Sequence, residues 1–251
     1  MSADRSVAER IGALKEIFSN RDGEASAIVA GAFQDRSPAV RGEAVLAVEE
    51  HRLTQLLPLV QERLHDRSAE VRHDAAQCIG VLLKDSRTPQ FGLKALLKDS
   101  DSVVRAQAIE SLGLVGDTSA IPKIVPLLLD SEPFVRSYAA STIGEFGDRS
   151  YAKRLRQSLK CEKNELAMVG LLTGLFMLGE RIVFQRILEL LSSSDYHVRC
   201  SVANALEILA LSKEEARLAI DALAEARRRP IAAADRSTAN RVLKKLKYRN
   251  H

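Results

Sequence analysis

The sequence predicts an all-α fold, a right-handed α-α superhelix (α-solenoid) of about eight similar helical hairpins. Three observations predict it. A segment of the form Asp-x-Ser/Asp/Glu-x-x-Val-Arg recurs with its arginines at Arg41, Arg72, Arg105 and Arg136, at steps of 31, 33 and 31 residues. After each Val-Arg the apolar residues return four and eight positions later, which is one face of an α-helix. Upstream of each segment lies a second apolar-periodic stretch, so every repeat pairs two helices.

Taken in chain order, the segments begin with Asp4 to Arg10 and continue with Asp35 to Arg41, Asp66 to Arg72, Asp99 to Arg105 and Asp130 to Arg136. A degenerate unit at Glu162 to Met168 follows, then Ser193 to Arg199 and, after a longer step, Asp235 to Arg241. The helical face reads Val40, Ala44, Val48; Val71, Ala75, Ile79; Val104, Ala108, Leu112; Val135, Ala139, Ile143; and Val198, Val202, Leu206. Ser37, Ser68 and Asp101 stand where an N-cap oxygen would accept orphan backbone N–H groups, and Pro38 and Pro133 occupy the first turn, where a missing N–H costs nothing. Gly116-Asp117 and Gly147-Asp148 end one hairpin and start the next, because glycine tolerates the left-handed conformation that terminates a helix. Glu9 and Asn240 replace the valine of the interior repeats, as expected of end repeats with a neighbour on one side only. The whole chain, 1–251, is therefore expected to be a single solenoid domain, with an N-terminal cap over 1–22, central repeats over 23–211 and a basic C-terminal cap over 212–251.

The stretch from Val115 through Gly116-Asp117-Thr118-Ser119-Ala120-Ile121-Pro122 and Asp130 to Gly147-Asp148 resembles the HEAT repeat, in the short bacterial form named after phycobilisome lyases. The resemblance covers nearly the whole chain and implies a fold more than a function. It implies that Asp35, Asp66, Asp99 and Asp130 with Arg41, Arg72, Arg105 and Arg136 form a ladder of hydrogen bonds between stacked turns. A lyase acting on bilins is implied only by the name of the repeat type.

Composition narrows the functions. The chain has 251 residues, 46% hydrophobic and 28% charged, with a formal net charge of +4. No apolar run reaches spanning length; the longest, Leu166 to Leu178, sits within the repeat register. The start lacks a basic-then-apolar secretory pattern, so a cytoplasmic protein is expected. Cys78, Cys161 and Cys200 lack metal-ligand or redox spacing and read as reduced packing residues. His51, His65, His73, His197 and His251 fall at unrelated repeat positions, and the His-Glu pairs that di-iron HEAT-repeat hydroxylases would require do not occur. No phosphate-cradling glycine loop and no Gly-x-Ser-x-Gly elbow is present. No catalytic residue, cofactor or metal is expected, and no enzyme.

Binding is the remaining class. In this repeat type the motif helix lines the concave side, and residues three and six beyond the valine point away from the packed face. These are Glu43, Leu46, Asp74, Gln77, Gln107, Glu110, Tyr138, Ser141, Ser201 and Asn204, an acidic to neutral stripe unlike a phosphate-binding groove. It reads as a solvated face or as a protein-binding surface, with Tyr138 as an amphipathic anchor. Two irregularities add candidates. The degenerate unit, where Met168 replaces the arginine, offers an apolar contact at Met168 and Phe176, or plain core. The C-terminal end, residues 226–251, holds nine basic residues against Asp235 alone, including Arg227, Arg228, Arg229, Lys244, Lys245 and Lys247. It suits a solvated cap, an acidic partner, a nucleic acid or a membrane surface. The expected function is a scaffold or adaptor that binds a protein partner.

Overall fold

The recurring segments from Asp35 to Arg199 fold as tight turns that each open an α-helix. The computed structural model describes residues 6–16, 25–88, 90–228 and 233–249. At the turn the acid accepts the backbone N–H two residues on: Ser37 to Asp35 (2.8 Å), Ser68 to Asp66 (2.9 Å), Asp101 to Asp99 (2.9 Å), Glu132 to Asp130 (3.0 Å) and Asn164 to Glu162 (2.9 Å). A short side chain bonded to its own backbone in this way fixes a turn without help from neighbours. Asp101 then caps the helix as expected, accepting from the N–H groups of Val103 and Val104 at 2.8 and 3.3 Å. Ser37 and Ser68 hold the N-cap position but make no side-chain cap bond. In those two repeats the turn is held by the acid two residues earlier, which accepts the N–H of the serine itself.

The chain divides into two compact units, Met1–Lys123 and Ile124–His251. The first contains α1 (Val7–Glu16), α2 (Ala25–Ala32), α3 (Pro38–Glu50), α4 (Leu57–Arg63), α5 (Ala69–Leu82), α6 (Phe91–Leu96) and α7 (Ser102–Val115). The motif helices α1, α3, α5 and α7 pack successively side by side, while α2, α4 and α6 each pack on the motif helix that follows. The residues of the apolar face from Val40 to Leu112 are at most 1% exposed, so the four-residue period marks the buried side.

The chain passes between the units within the short α8 (Ile121–Ile124), followed by a 3₁₀ turn at Val125–Leu129. The second unit contains α9 (Pro133–Glu145), α10 (Ala152–Cys161), α11 (Glu165–Met177), α12 (Phe184–Glu189), α13 (Tyr196–Ile208), α14 (Lys213–Arg228) and α15 (Ala233–Arg249). Here α9, α11, α13 and α15 form the motif series, with α10 and α12 on α11 and α14 on α15. Both units are therefore stacked helical hairpins, the all-α solenoid class that the period predicts. Glu9 and Asn240 are exposed, as the end-repeat reading expects. The last motif departs from the pattern: α15 opens at Ala233, so Asp235 to Arg241 lies inside a helix.

Gly116 and Gly147 adopt φ of +77° and +75°, the left-handed ends expected between hairpins, and Gly179 does the same at +99°. A different demand falls on α9 and α11. A Cβ on Gly144 would lie 2.4 Å from the Gly174 Cα, and one on Gly170 would lie 2.5 Å from the Ser137 Cα. The two backbones meet directly, and α11 is buried over Ala167 and Val169–Phe176. The apolar run of the degenerate repeat is therefore the core of the second unit.

Replacing Gly144 with alanine is expected to destabilise the protein by about 2 kcal/mol through overpacking. Gly12→Ala, at a helical position where the added Cβ meets nothing within 4 Å, should be neutral or stabilise by up to about 1 kcal/mol. Urea unfolding of the two variants checks the contrast.

Candidate partner-binding face of the motif helices

The acids and arginines of the repeats face inward and bind one another. Arg41 donates through Nε and Nη2 to the two carboxylate oxygens of Asp66, both at 2.7 Å, and Arg72 does the same to Asp99. Arg10 pairs with Asp35 at 2.8 Å. Each arginine thus reaches the acid of the following turn. It also returns to its own turn: Arg41, Arg72, Arg105, Arg136 and Arg199 donate Nη1 to the carbonyl six residues earlier, at 2.6 to 2.9 Å. One guanidinium fork therefore clamps two consecutive turns, a geometry that the single ammonium of lysine would not supply. Burial would raise the pKa of Asp66, but its hydrogen bonds from Arg41 and the Ser68 N–H outweigh it and hold the carboxyl below its usual range. Asp99 is lowered in the same way by Arg72 and Asp101.

The degenerate repeat supplies an unexpected rung. Arg136 binds Glu162 at 2.7 and 3.0 Å, so the glutamate does the work of the missing aspartate. The arginine position of that repeat holds Met168, and the acid position of the next holds Ser193, so both partners of one rung are absent together. In its place the Ser193 hydroxyl donates to the Glu165 carboxylate. These groups are structural, as the resemblance implies, and are spoken for.

The stripe beyond each valine is only partly open. In the first unit Leu46 is 41% exposed, Glu43 is half-buried with Lys15 at 3.6 Å, and Gln77 donates to Glu49 at 3.3 Å. Asp74 accepts from His73 Nδ1 at 3.1 Å. That bond raises the His73 pKa against an opposing desolvation, with Asp74, Glu110 and Asp101 adding attraction. Glu110 is exposed as a residue, yet partial burial of its carboxylate raises its pKa while His73 pulls it down. Gln107 does not belong to the open face: it is 9% exposed and donates to Ser111 at 3.2 Å. Its environment closes because α5 and α7 approach tightly there, with a Cβ on Gly80 only 2.8 Å from that of Ser111.

In the second unit Tyr138 is 39% exposed, while Ser141 is half-buried and turns its hydroxyl to the carbonyls of Ser137 and Tyr138. Ser201 is half-buried, and Asn204 is exposed but accepts from Arg241 at 2.7 Å. Of the two readings of the degenerate repeat, an apolar contact at Met168 and Phe176 or plain core, Phe176 follows the second. Phe176 is 2% exposed, stacks on Phe184 with ring centroids 5.5 Å apart, and lies under the Arg181 guanidinium, while Met168 is half-buried. A helix with apolar residues on all sides buries most of them, and the aromatic ring goes in with the rest.

At the C-terminal end Glu207 binds both Arg241 and Lys245, leaving Lys244 and Lys247 exposed. Arg227 and Arg228 lie in α14. Arg229 and His251 fall outside the described residues. Cys78 is buried, which together with the charge of Glu49 pushes its thiol up to about 12. Cys161, by contrast, is exposed at the end of α10 and is no packing residue. Among the described residues no three His, Cys, Asp or Glu side chains come together to hold a metal ion, and no helix is long and apolar enough to cross a membrane. Reading the sequence did not find Lys94, which is 6% exposed and binds Asp117 at 2.8 Å and Ser119 at 2.6 Å. Ser119 in turn donates to Asp117 at 2.5 Å, so the trio ties a turn and leaves no base free for a nucleophile.

Stacked hairpins joined by arginine–carboxylate rungs define the class of helical repeat proteins. Within it, residues 56–86 match the HEAT repeat and residues 89–168 match HEAT repeats, so this central stretch of the chain is built of HEAT repeats. It resembles a chain in the complex of CpcE and CpcF of phycocyanin lyase from Nostoc sp. PCC7120, at 17% identity and a TM-score of 0.61, covering 89% of this chain and 94% of that one. An archaeal HEAT-like repeats protein from Thermococcus onnurineus NA1 aligns at 15% identity and a TM-score of 0.38, covering 97% of this chain and 93% of that one. At these identities the likeness concerns the fold alone. No curated protein sequence matches significantly.

Arg41 and Asp66 side chains are 6% and 5% exposed, so Arg41→Ala should cost about 3 kcal/mol by leaving a shielded carboxylate without its partner. Because the folded pKa of Asp66 is depressed below 3.8, its contribution is complete at neutral pH and is lost as pH falls through the folded value. Unfolding curves of wild type and variant should therefore converge in acid. For His73 the sign is reversed: its raised pKa contributes stability below about 6.5 that is lost as pH rises through the folded value. An NMR titration should place its midpoint above that of a free histidine, and Asp74→Asn should bring it down.

Proposed function

We propose that this chain is a non-catalytic scaffold or adaptor that binds a protein partner through the open side of its motif helices. The observation that supports this is the division of labour along each motif helix. The Asp, Glu and Arg of the turns are used in the rungs, whereas positions three and six beyond the valine keep polar and apolar groups toward solvent: Glu43, Leu46, Asp74, Gln77 and Glu110 in one unit, and Tyr138 and Asn204 in the other. Exposed Leu46 and Tyr138 offer apolar contact flanked by polar groups, the composition from which interface anchors are built.

A nucleic acid or another acidic partner at the C-terminal end draws support from exposed Lys244 and Lys247, but Glu207 already binds the neighbouring Arg241 and Lys245. A role like that of the phycocyanin lyase chains rests on likeness of fold alone. Simultaneous charge reversal of Glu43, Asp74 and Glu110 is expected to abolish capture of the partner from the native cell in a variant whose circular dichroism shows it folded, with some loss of melting temperature from the Lys15–Glu43 and His73–Asp74 pairs. Affinity capture with quantitative mass spectrometry checks this, and an unchanged set of captured proteins would sink the assignment of this face.

A further inference from the structure

The second unit carries a strongly basic surface away from the motif helices. Residues 149–163 contain Arg149, Lys153, Arg154, Arg156, Lys160 and Lys163 against Glu162 alone. Most of them lie on α10 (Ala152–Cys161), whose charges follow helical geometry. Leu155 is fully buried and Ala152, Ser158 and Leu159 are half-buried, while Lys153, Arg154, Arg156, Gln157 and Lys160 are exposed. The inner side holds the helix to α11, and the outer side carries cations along its whole length. None of the other short packing helices repeats this: α2 has no charged residue, α6 only Lys94, and α12 pairs Arg186 with Glu189 in composition.

The fold leaves most of this charge uncompensated. Arg156 binds Glu180 at 2.6 Å, and Arg149 lies over the Gly179 turn, its Nη2 3.2 Å from where a Cβ would be. Lys153, Arg154, Lys160 and Lys163 have no acidic partner among the described residues. At the C-terminal end, by comparison, Glu207 holds two of the cations.

Two exposed aliphatic side chains border the same helix. Ile182, two residues beyond the Glu180 that binds Arg156, is 90% exposed. Leu129 is 72% exposed at the end of the Val125–Leu129 turn, which packs against α10 from the preceding repeat. α10 itself holds no aromatic residue, and Tyr151, at its N-cap, is half-buried.

We propose that the α10 surface docks onto an anionic lipid bilayer. Its cations would meet lipid phosphates, while the exposed Ile182 and Leu129 enter the headgroup layer. Basic side chains next to an anionic leaflet are attracted additively, and exposed aliphatics gain by leaving water there. A single-stranded nucleic acid would use the same cations but would reward stacking aromatics, and neither it nor a duplex offers an apolar region to these two side chains. This surface is separate from the motif-helix face, so either can fail without the other.

The test is co-sedimentation of the full chain with vesicles of phosphatidylcholine, with and without phosphatidylglycerol. Binding is expected only to the anionic vesicles and should weaken with salt. Charge reversal of Lys153, Arg154 and Lys160 together should lower affinity at least about tenfold. Ile182→Ser should lower it about tenfold without changing net charge. Lys244→Glu with Lys247→Glu should leave α10-directed binding in place. All these side chains are exposed, and unchanged melting temperatures verify that the variants fold. Absence of binding to anionic vesicles overturns the proposal, as does binding that survives reversal of the α10 charges. Retention of a duplex oligonucleotide by a chain that ignores vesicles overturns it in favour of a phosphodiester partner.

Discussion

The arginine fork that clamps two consecutive turns is the interaction on which the rest depends. Through Nη1 it closes its own turn and through Nε and Nη2 it holds the carboxylate of the next, so the start of one motif helix is set by the start of the one before. The carboxylate in turn fixes the N–H of its own turn. Local conformation and stacking therefore share atoms, and neither can relax alone. Apolar burial along the motif helices supplies the non-directional attraction, while the rungs set the register in which it is expressed.

Much of this was legible from one sequence because the period exposes both ingredients at once. Valine with alanine and an aliphatic residue at four-residue spacing reveals the buried face, and Asp with Val-Arg reveals the turn. What was not legible depended on distances between helices. Gln107 occupies a position that is open in other repeats and is covered here by the Gly80–Ser111 approach. Phe176 could not be told from an exposed anchor because α11 lacks a polar side to orient it. The serines at the N-cap positions carry the right chemistry but make no cap bond, whereas Asp101 at the same position does. Glu162 was readable in principle: it stands one repeat after Asp130 and offers the same carboxylate.

The candidate surfaces differ in how far sequence could locate them. Counting from the valine finds the solvent side of a motif helix, but hydrogen bonds such as Gln77 to Glu49 and Arg241 to Asn204 decide how much of each side chain remains for a partner. The basic side of α10 was overlooked because a ruler anchored on the motif says little about the intervening helices. Its signal is compositional instead, six cations against a single acid over fifteen residues.

The rung absent between Met168 and Ser193 has a consequence for how such a chain is assembled. Because Arg10, Arg41, Arg72 and Arg136 reach forward to the next repeat, such a repeat has a donating end and an accepting end, and neighbours must match. A repeat ending in arginine joined to the one that begins at Ser193 would strand a cation, and one ending at Met168 joined to an aspartate would strand an anion. The repeats are thus not interchangeable beads. Their ends act as complementary connectors that prescribe the order in which copies can follow one another, and a duplication or deletion is tolerated only where it leaves every junction matched.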